Sequence, residues 1–111
     1  MYRTQPIQNT AARFGQRARL ECEIQSHPPL TSLKWYRNQM EVVQQPGQVI
    51  LAAEEPDPKE QPQVVRASLT IERSTSADAG KYTVTALNPF GQKSCYSFLH
   101  VDDQRILFFF S

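Results

Sequence analysis

Apolar and polar residues alternate with a period of two over several stretches of the chain, which is the spacing of half-buried β-strands. From Gln16 to Ser26, the residues Ala18, Leu20, Cys22 and Ile24 fall on one face while Arg17, Arg19, Glu21 and Glu23 fall on the other. Leu33-Lys34-Trp35-Tyr36-Arg37 repeats the pattern with Leu33 and Trp35 inward and Lys34 and Tyr36 outward. Val65 to Ile71 gathers Val65, Ala67, Leu69 and Ile71, and Gln92 to Val101 sets Cys95, Leu99 and Val101 opposite Tyr96, Phe98 and His100. The breaks between these runs are as informative. His27-Pro28-Pro29-Leu30 cannot continue a central strand, and Glu54 to Gln63, with three prolines and mixed charge, reads as a loop. Val42-Val43 and Val49-Ile50-Leu51 are expected to be short strands separated by Pro46-Gly47. Thr4 to Gly15 is polar and carries Pro6, which predicts an edge strand broken by a kink and paired with both sheets in turn. Seven to eight short strands at this spacing predict a two-sheet sandwich.

One further stretch, Asp78-Ala79-Gly80-Lys81-Tyr82-Thr83-Val84-Thr85-Ala86-Leu87-Asn88-Pro89-Phe90-Gly91, reads as a corner, a strand and a hairpin. Asp78 is suited to cap a turn, Gly80 supplies backbone freedom, and Tyr82, Val84 and Ala86 share one face. Asn88, Pro89 and Gly91 then break the strand, while Ser74 to Asp78 is the crossing turn that leads into it. A Tyr buried at the start of a strand must satisfy its hydroxyl, and the preceding turn offers the nearest backbone acceptors.

Cys22, Trp35, Leu69, Ile71, Asp78, Gly80, Tyr82 and Val84 are therefore the expected core and corner positions. All but the last stand in the order and approximate spacing of an immunoglobulin domain of the intermediate, or I-set, type. Cys22 resembles the cysteine of that family's strand B, Trp35 the core Trp of strand C, Leu69-Thr70-Ile71 the Leu-x-Ile of strand E, and Tyr82 the tyrosine corner. The resemblance covers about Pro6 to Val101. It implies an all-β antiparallel sandwich with Greek-key connections, one domain over residues 1–103, followed by an apolar tail or truncated linker over 104–111.

Where the family's pattern has Tyr-x-Cys, this chain has Tyr82-Thr83-Val84, so the family's usual bridge between the sheets cannot form. That bridge would contribute roughly 4 kcal/mol in the chain-entropy model, much of a small domain's net stability. A zinc site wants about four ligands with close pairs, and Cys22, Cys95, His27 and His100 are too scattered to supply one. A Cys22–Cys95 disulfide would need the last strand to cross over strand B in the expected sheet order. Free thiols at Cys22 and Cys95 are the expectation. A domain without its disulfide, and without any Asn-x-Ser/Thr acceptor, points to the cytoplasm.

Composition narrows the function. A 111-residue chain with 40% hydrophobic content builds one core, and a net charge of +1 makes no electrostatic case for nucleic acid or an anionic membrane. No apolar run is as long as a membrane span, and residues 1–5 lack the hydrophobic centre of a signal peptide. No nucleophile, base and orienting acid stand in a recognisable pattern, and no Gly-rich phosphate loop is present, so neither catalytic, cofactor nor metal residues are expected.

Two surfaces qualify for protein contact. The outer face of the sheet built from strands C, F and G should show Lys34, Tyr36, Thr83, Thr85, Tyr96 and Phe98, aromatics with a basic rim. Ile106, Leu107, Phe108, Phe109 and Phe110 form an uncharged apolar run that is hard to leave in water, and it is expected to self-associate or to cover an edge. Together with the resemblance, this implies a non-catalytic interaction or spacer module of a larger intracellular sarcomeric or cytoskeletal protein, with protein partners and neighbouring domains. The alternatives are a ligand-binding module of an adhesion or receptor ectodomain, and a regulatory module attached to a kinase.

Overall fold

The structure is a computed structural model, and it describes residues 3–4 and 9–102. Among the described residues, nine strands form two sheets. β1 (Arg3–Thr4), β3 (Ala18–Ser26), β7 (Gln63–Ile71) and β6 (Val49–Glu54) make one sheet in the order β1-β3-β7-β6. β2 (Thr10–Arg13), β9 (Gly91–Asp102), β8 (Gly80–Asn88), β4 (Ser32–Arg37) and β5 (Met40–Glu41) make the other in the order β2-β9-β8-β4-β5.

The split first strand behaves as expected. β1 pairs antiparallel with β3, whereas β2 crosses to the second sheet and pairs parallel with β9, Thr10 opposite Leu99 and Arg13 opposite Asp102. All other pairings are antiparallel. Each half-apolar strand turns its predicted face inward: Ala18, Leu20, Cys22 and Ile24 from β3, Val65, Ala67, Leu69 and Ile71 from β7, Tyr82, Val84 and Ala86 from β8, and Cys95, Leu99 and Val101 from β9 are all buried. Trp35 is buried, and Leu33 packs against the same cluster from a partly exposed position at the end of the sandwich.

Two expectations about the middle of the chain are corrected. Val42-Val43 is not a strand; the short strand is Met40–Glu41, and it is set by a two-residue turn. Asn38 and Gln39 both have positive φ, 48° and 78°, as the hairpin turn that matches strand twist requires. Gln39 is not a residue that announces such a turn, so the strand was expected at the β-branched pair Val42-Val43 that follows it. Val49-Ile50-Leu51 is a strand but runs on to Glu54, and its outer edge is closed by the preceding segment: Val49 and Gln45 exchange backbone hydrogen bonds, and Leu51 N donates to Gln44 Oε1 at 3.1 Å.

The larger correction concerns the cysteines. Cys22 and Cys95 are joined in a disulfide and are not free thiols. No strand has to cross for this. Trp35 pairs with Val84 and Val84 pairs with Cys95, so the three form one inward row across the second sheet, and Cys22 faces that row from β3. Val84 occupies the position where the I-set pattern carries its second cysteine, and Cys95 lies one strand to the side of it in the same row. The bridge between sheets is kept, moved over by one strand.

The candidate interaction face and the frame that holds it

The corner before β8 is built by short-range bonds. Ser76–Asp78 form a single 3-10 turn, Thr75 N donates to Asp78 Oδ2 at 2.8 Å, and the Tyr82 hydroxyl donates to Asp78 O at 2.6 Å. Burial pushes the Tyr82 phenol above its ordinary value of 10.0; the hydrogen bond and charge of Arg37 pull the other way, and the Asp78 carboxylate adds to the rise. Arg37 also ties β4 to the turn by donating to Ala77 O at 3.0 Å. Gly80 has φ 149°, and a Cβ there would come within 2.9 Å of Asn38 Nδ2. Asn38 in turn accepts a hydrogen bond from Lys81 N at 3.1 Å, which locks the β4–β5 turn against the start of β8.

The opposite end is held by Asn88, which is buried and makes four hydrogen bonds. Its Oδ1 accepts from Phe90 N at 2.9 Å and Gly91 N at 3.1 Å, shaping the hairpin. Its Nδ2 donates to Ser26 Oγ at 3.0 Å and to Pro28 O at 3.3 Å, fastening that hairpin to the end of β3. Asn88 was read in the sequence only as a strand breaker, and the burial of Ser26 and Asn88 was not foreseen. A polar residue at the end of an alternating strand looks like the start of solvent, and only the facing hairpin makes it interior.

Between these anchors, the second sheet shows its outer face. Register places Tyr36, Thr83 and Tyr96 in one row across β4, β8 and β9, Lys34, Thr85 and Ser94 in the next, and Lys81 beside Phe98. All six predicted face residues, Lys34, Tyr36, Thr83, Thr85, Tyr96 and Phe98, are thus brought onto one surface. Tyr96 and Phe98 remain 54% and 50% exposed and meet edge to face, with ring centroids 6.0 Å apart. Lys81, which the alternation placed outward but which was not named as a face residue, sets its ammonium 4.5 Å from the Tyr96 ring centroid. Tyr36, Asn38, Gln39, Lys81 and Thr83 line a concavity of about 460 Å³ beside the rings. The expected tail residues Ile106, Leu107, Phe108, Phe109 and Phe110 lie outside the described residues.

The other sheet is different. Its outer face carries Arg19–Glu21 at 3.2 Å and Arg66–Glu23 at 3.3 Å, with Arg17–Glu72 at 3.2 Å on its margin. A wider cleft of about 820 Å³ opens between β5 and β6 over Leu69, Ile71 and Tyr82, but Arg37 on its rim is already engaged with Ala77 and Asp78. His27, in the bend after β3, and His100, on β9, are both exposed, and among the described residues no three His, Cys, Asp or Glu side chains gather as metal ligands. No helix among the described residues is long and apolar enough to cross a membrane.

Known proteins share this frame. Palladin from Mus musculus is 36% identical over 88 residues, which is 79% of this chain and 6% of palladin; myosin-binding protein H from Gallus gallus is 29% identical over 91 residues, 82% of this chain and 15% of that protein. The chain therefore spans a small fraction of the length of these relatives. Among solved structures, the titin domains Z1Z2 in complex with telethonin superpose with a TM-score of 0.74 at 25% identity over 92% of this chain and 48% of that one, and titin M4 with 0.71 at 25% identity over 90% and 94%. The Immunoglobulin I-set domain model matches residues 2–101, and with the corner, the sheet order and the inter-sheet bridge in place the chain belongs to the immunoglobulin I-set family.

Proposed function

We propose that this chain is a non-catalytic protein-interaction and spacer module of a larger cytoskeletal or sarcomeric protein, acting in the cytoplasm, with residues 1–103 as one domain and 104–111 as an apolar tail or linker. The observation that carries the interaction role is the outer face of the five-stranded sheet, where two half-exposed aromatic rings stand beside lysines on a surface held rigid at both ends. A preorganised aromatic patch loses little entropy on binding. The relatives supply the setting, since palladin, myosin-binding protein H and titin are the proteins the fold and sequence match, and titin has been seen in complex with telethonin and with obscurin-like 1. The spacer role is supported by chain direction: β1 pairs with Ile24 and Gln25 near the end of β3 at one end, and β9 finishes at Asp102, bonded to Phe14, at the other.

Pull-down from muscle cytoskeletal extract with the wild-type chain and with Tyr96→Ser/Phe98→Ser tests the face. Both rings point to solvent, so the double variant should fold normally and lose the captured protein. Equal capture by both would overturn the reading. The Cys22–Cys95 bond favours a second reading, an ectodomain module of an adhesion or receptor protein, because disulfides persist in oxidising compartments. It also removes the cysteine argument for the cytoplasm. Rapid thiol trapping in cells separates the two: alkylated Cys22 and Cys95 support the cytoplasmic module, and protected ones the ectodomain.

A further inference from the structure

We infer that the outer face of β4, β8 and β9 seats an extended acidic segment of a protein partner, with two carboxylates four residues apart and an apolar side chain midway between them. This rests on the proposed interaction role of the same face and names its ligand.

The argument starts from the contrast between the two sheets. On the β3–β7 face and its margin, three Arg–Glu pairs neutralise the charges. On the β4–β8–β9 face, Lys34 and Lys81 have no carboxylate within ion-pair distance among the described residues. Lys81 lies over the Tyr96 ring instead, a contact that orients the ammonium without cancelling its charge. Glu41 of the edge strand β5 stands opposite Tyr36 and is an acidic neighbour of this face, but along β4 and β8 between Lys34 and Lys81 the unpaired charges are positive, and such a strip opposite a neutralised face selects negative partners.

The spacing follows from register. Lys34 pairs with Thr85, and Lys81 lies four residues before Thr85 on β8, so the backbone positions of the two lysines stand about 14 Å apart along the strand direction. Midway, Thr83 is flanked by Tyr36 on one side and Tyr96 on the other. An extended segment laid along β8 meets Lys81, the Tyr36–Thr83–Tyr96 row and Lys34 with every second residue, since alternate side chains of an extended chain share a face. The concavity beside Lys81, lined by Asn38 and Gln39 as well, gives the first carboxylate a recess with amide groups to bond. Phe98, against Tyr96, extends the apolar centre along β9 to the position beside Lys81.

The probe is a capped peptide, Ser-Glu-Thr-Leu-Thr-Glu-Ser, titrated to millimolar concentration into the isotope-labelled chain and followed by amide NMR shifts. Shifts should concentrate at Lys34, Tyr36, Lys81, Thr83, Tyr96 and Phe98. Apparent affinity should fall about tenfold in Lys34→Glu/Lys81→Glu and weaken with added salt, as for exposed charge pairs acting together. The same peptide with Lys in place of both Glu should leave these amides unmoved. Equal shifts with the Glu and Lys peptides, shifts on the β3–β7 face, or no shifts at all would each overturn the inference. If the extract pull-down still depends on Tyr96 and Phe98 while the titration fails, the face binds a partner of other chemistry; if the pull-down fails while the titration succeeds, the acidic motif stands without the cytoskeletal role.

Discussion

Tyr82 shows how a single atom ties sequence to fold. Its ring is part of the core, 2% exposed, and its hydroxyl reaches Asp78 O, so the side chain is satisfied at both its apolar and polar ends. Tyr82→Phe leaves that carbonyl short of a donor and should cost on the order of 1–3 kcal/mol, read from the denaturant midpoint. The same residue sets an alkaline limit. Because burial raises its pKa in the folded chain, folding is favoured by Tyr82 staying neutral; this contribution is complete below the ordinary value of 10.0 and is lost as pH rises through the raised one. Stability should therefore fall above about pH 10 in the wild-type chain, and less steeply in Tyr82→Phe. The cysteines give a second test at this scale. Alkylation of the purified, oxidised chain under denaturing, non-reducing conditions should label neither Cys22 nor Cys95, and in that state Cys95→Ser should cost about 4 kcal/mol for releasing a loop of this length.

At the scale of elements, the hairpin between β8 and β9 depends on one side chain more than on its proline and glycine. Asn88 organises the turn through Oδ1 and anchors it to β3 through Nδ2. Asn88→Ala removes both functions and should lower stability by roughly 2–4 kcal/mol, with faster hydrogen exchange at Phe90 and Gly91. Asn88→Asp keeps the acceptor but not the donors, so the exchange protection at Phe90 and Gly91 should persist better than the overall stability. The turn between β4 and β5 follows similar logic, since Asn38 adopts a positive φ and at the same time bonds Lys81 across the sheet. A side chain at position 80 would collide with it, which ties the glycine of the corner to a turn forty-two residues earlier.

For the whole molecule, the disulfide changes what pulling on the ends can achieve. β2 and β9 run parallel, so tension between the two ends loads their ladder in shear. Once that ladder gives way, the Cys22–Cys95 bond holds back the 73-residue separation between its cysteines. Single-molecule extension of the oxidised chain should thus be shorter than that of the reduced chain by roughly 250 Å, at about 3.4 Å per extended residue. Equal lengths in the two states would mean that the bond is absent from the folded protein. The two faces divide the remaining roles, one with its arginines matched to glutamates and the other aromatic and basic, and Lys34→Glu/Lys81→Glu should alter partner capture while leaving the melting temperature within a few degrees.

Period-two alternation was enough to determine which faces of β3, β4, β7, β8 and β9 turn inward, because a strand with one wet side can satisfy its apolar residues in only one register. The tyrosine corner was legible for a related reason: its donor, turn and acceptor all lie within the seven residues from Ser76 to Tyr82. The aromatic face was also readable, since outward positions follow once inward ones are known. Pairing across the sandwich was a different matter. Cys22 and Cys95 are distant in sequence, and nothing in either strand's own pattern says that β9 brings its inward row opposite β3. The burial of Ser26 and Asn88, the Asn38–Gln39 turn and the place of Lys81 above Tyr96 were likewise decided only in three dimensions. In each case the energy belongs to a contact between separate elements, while a sequence pattern reports only what one element needs from its surroundings.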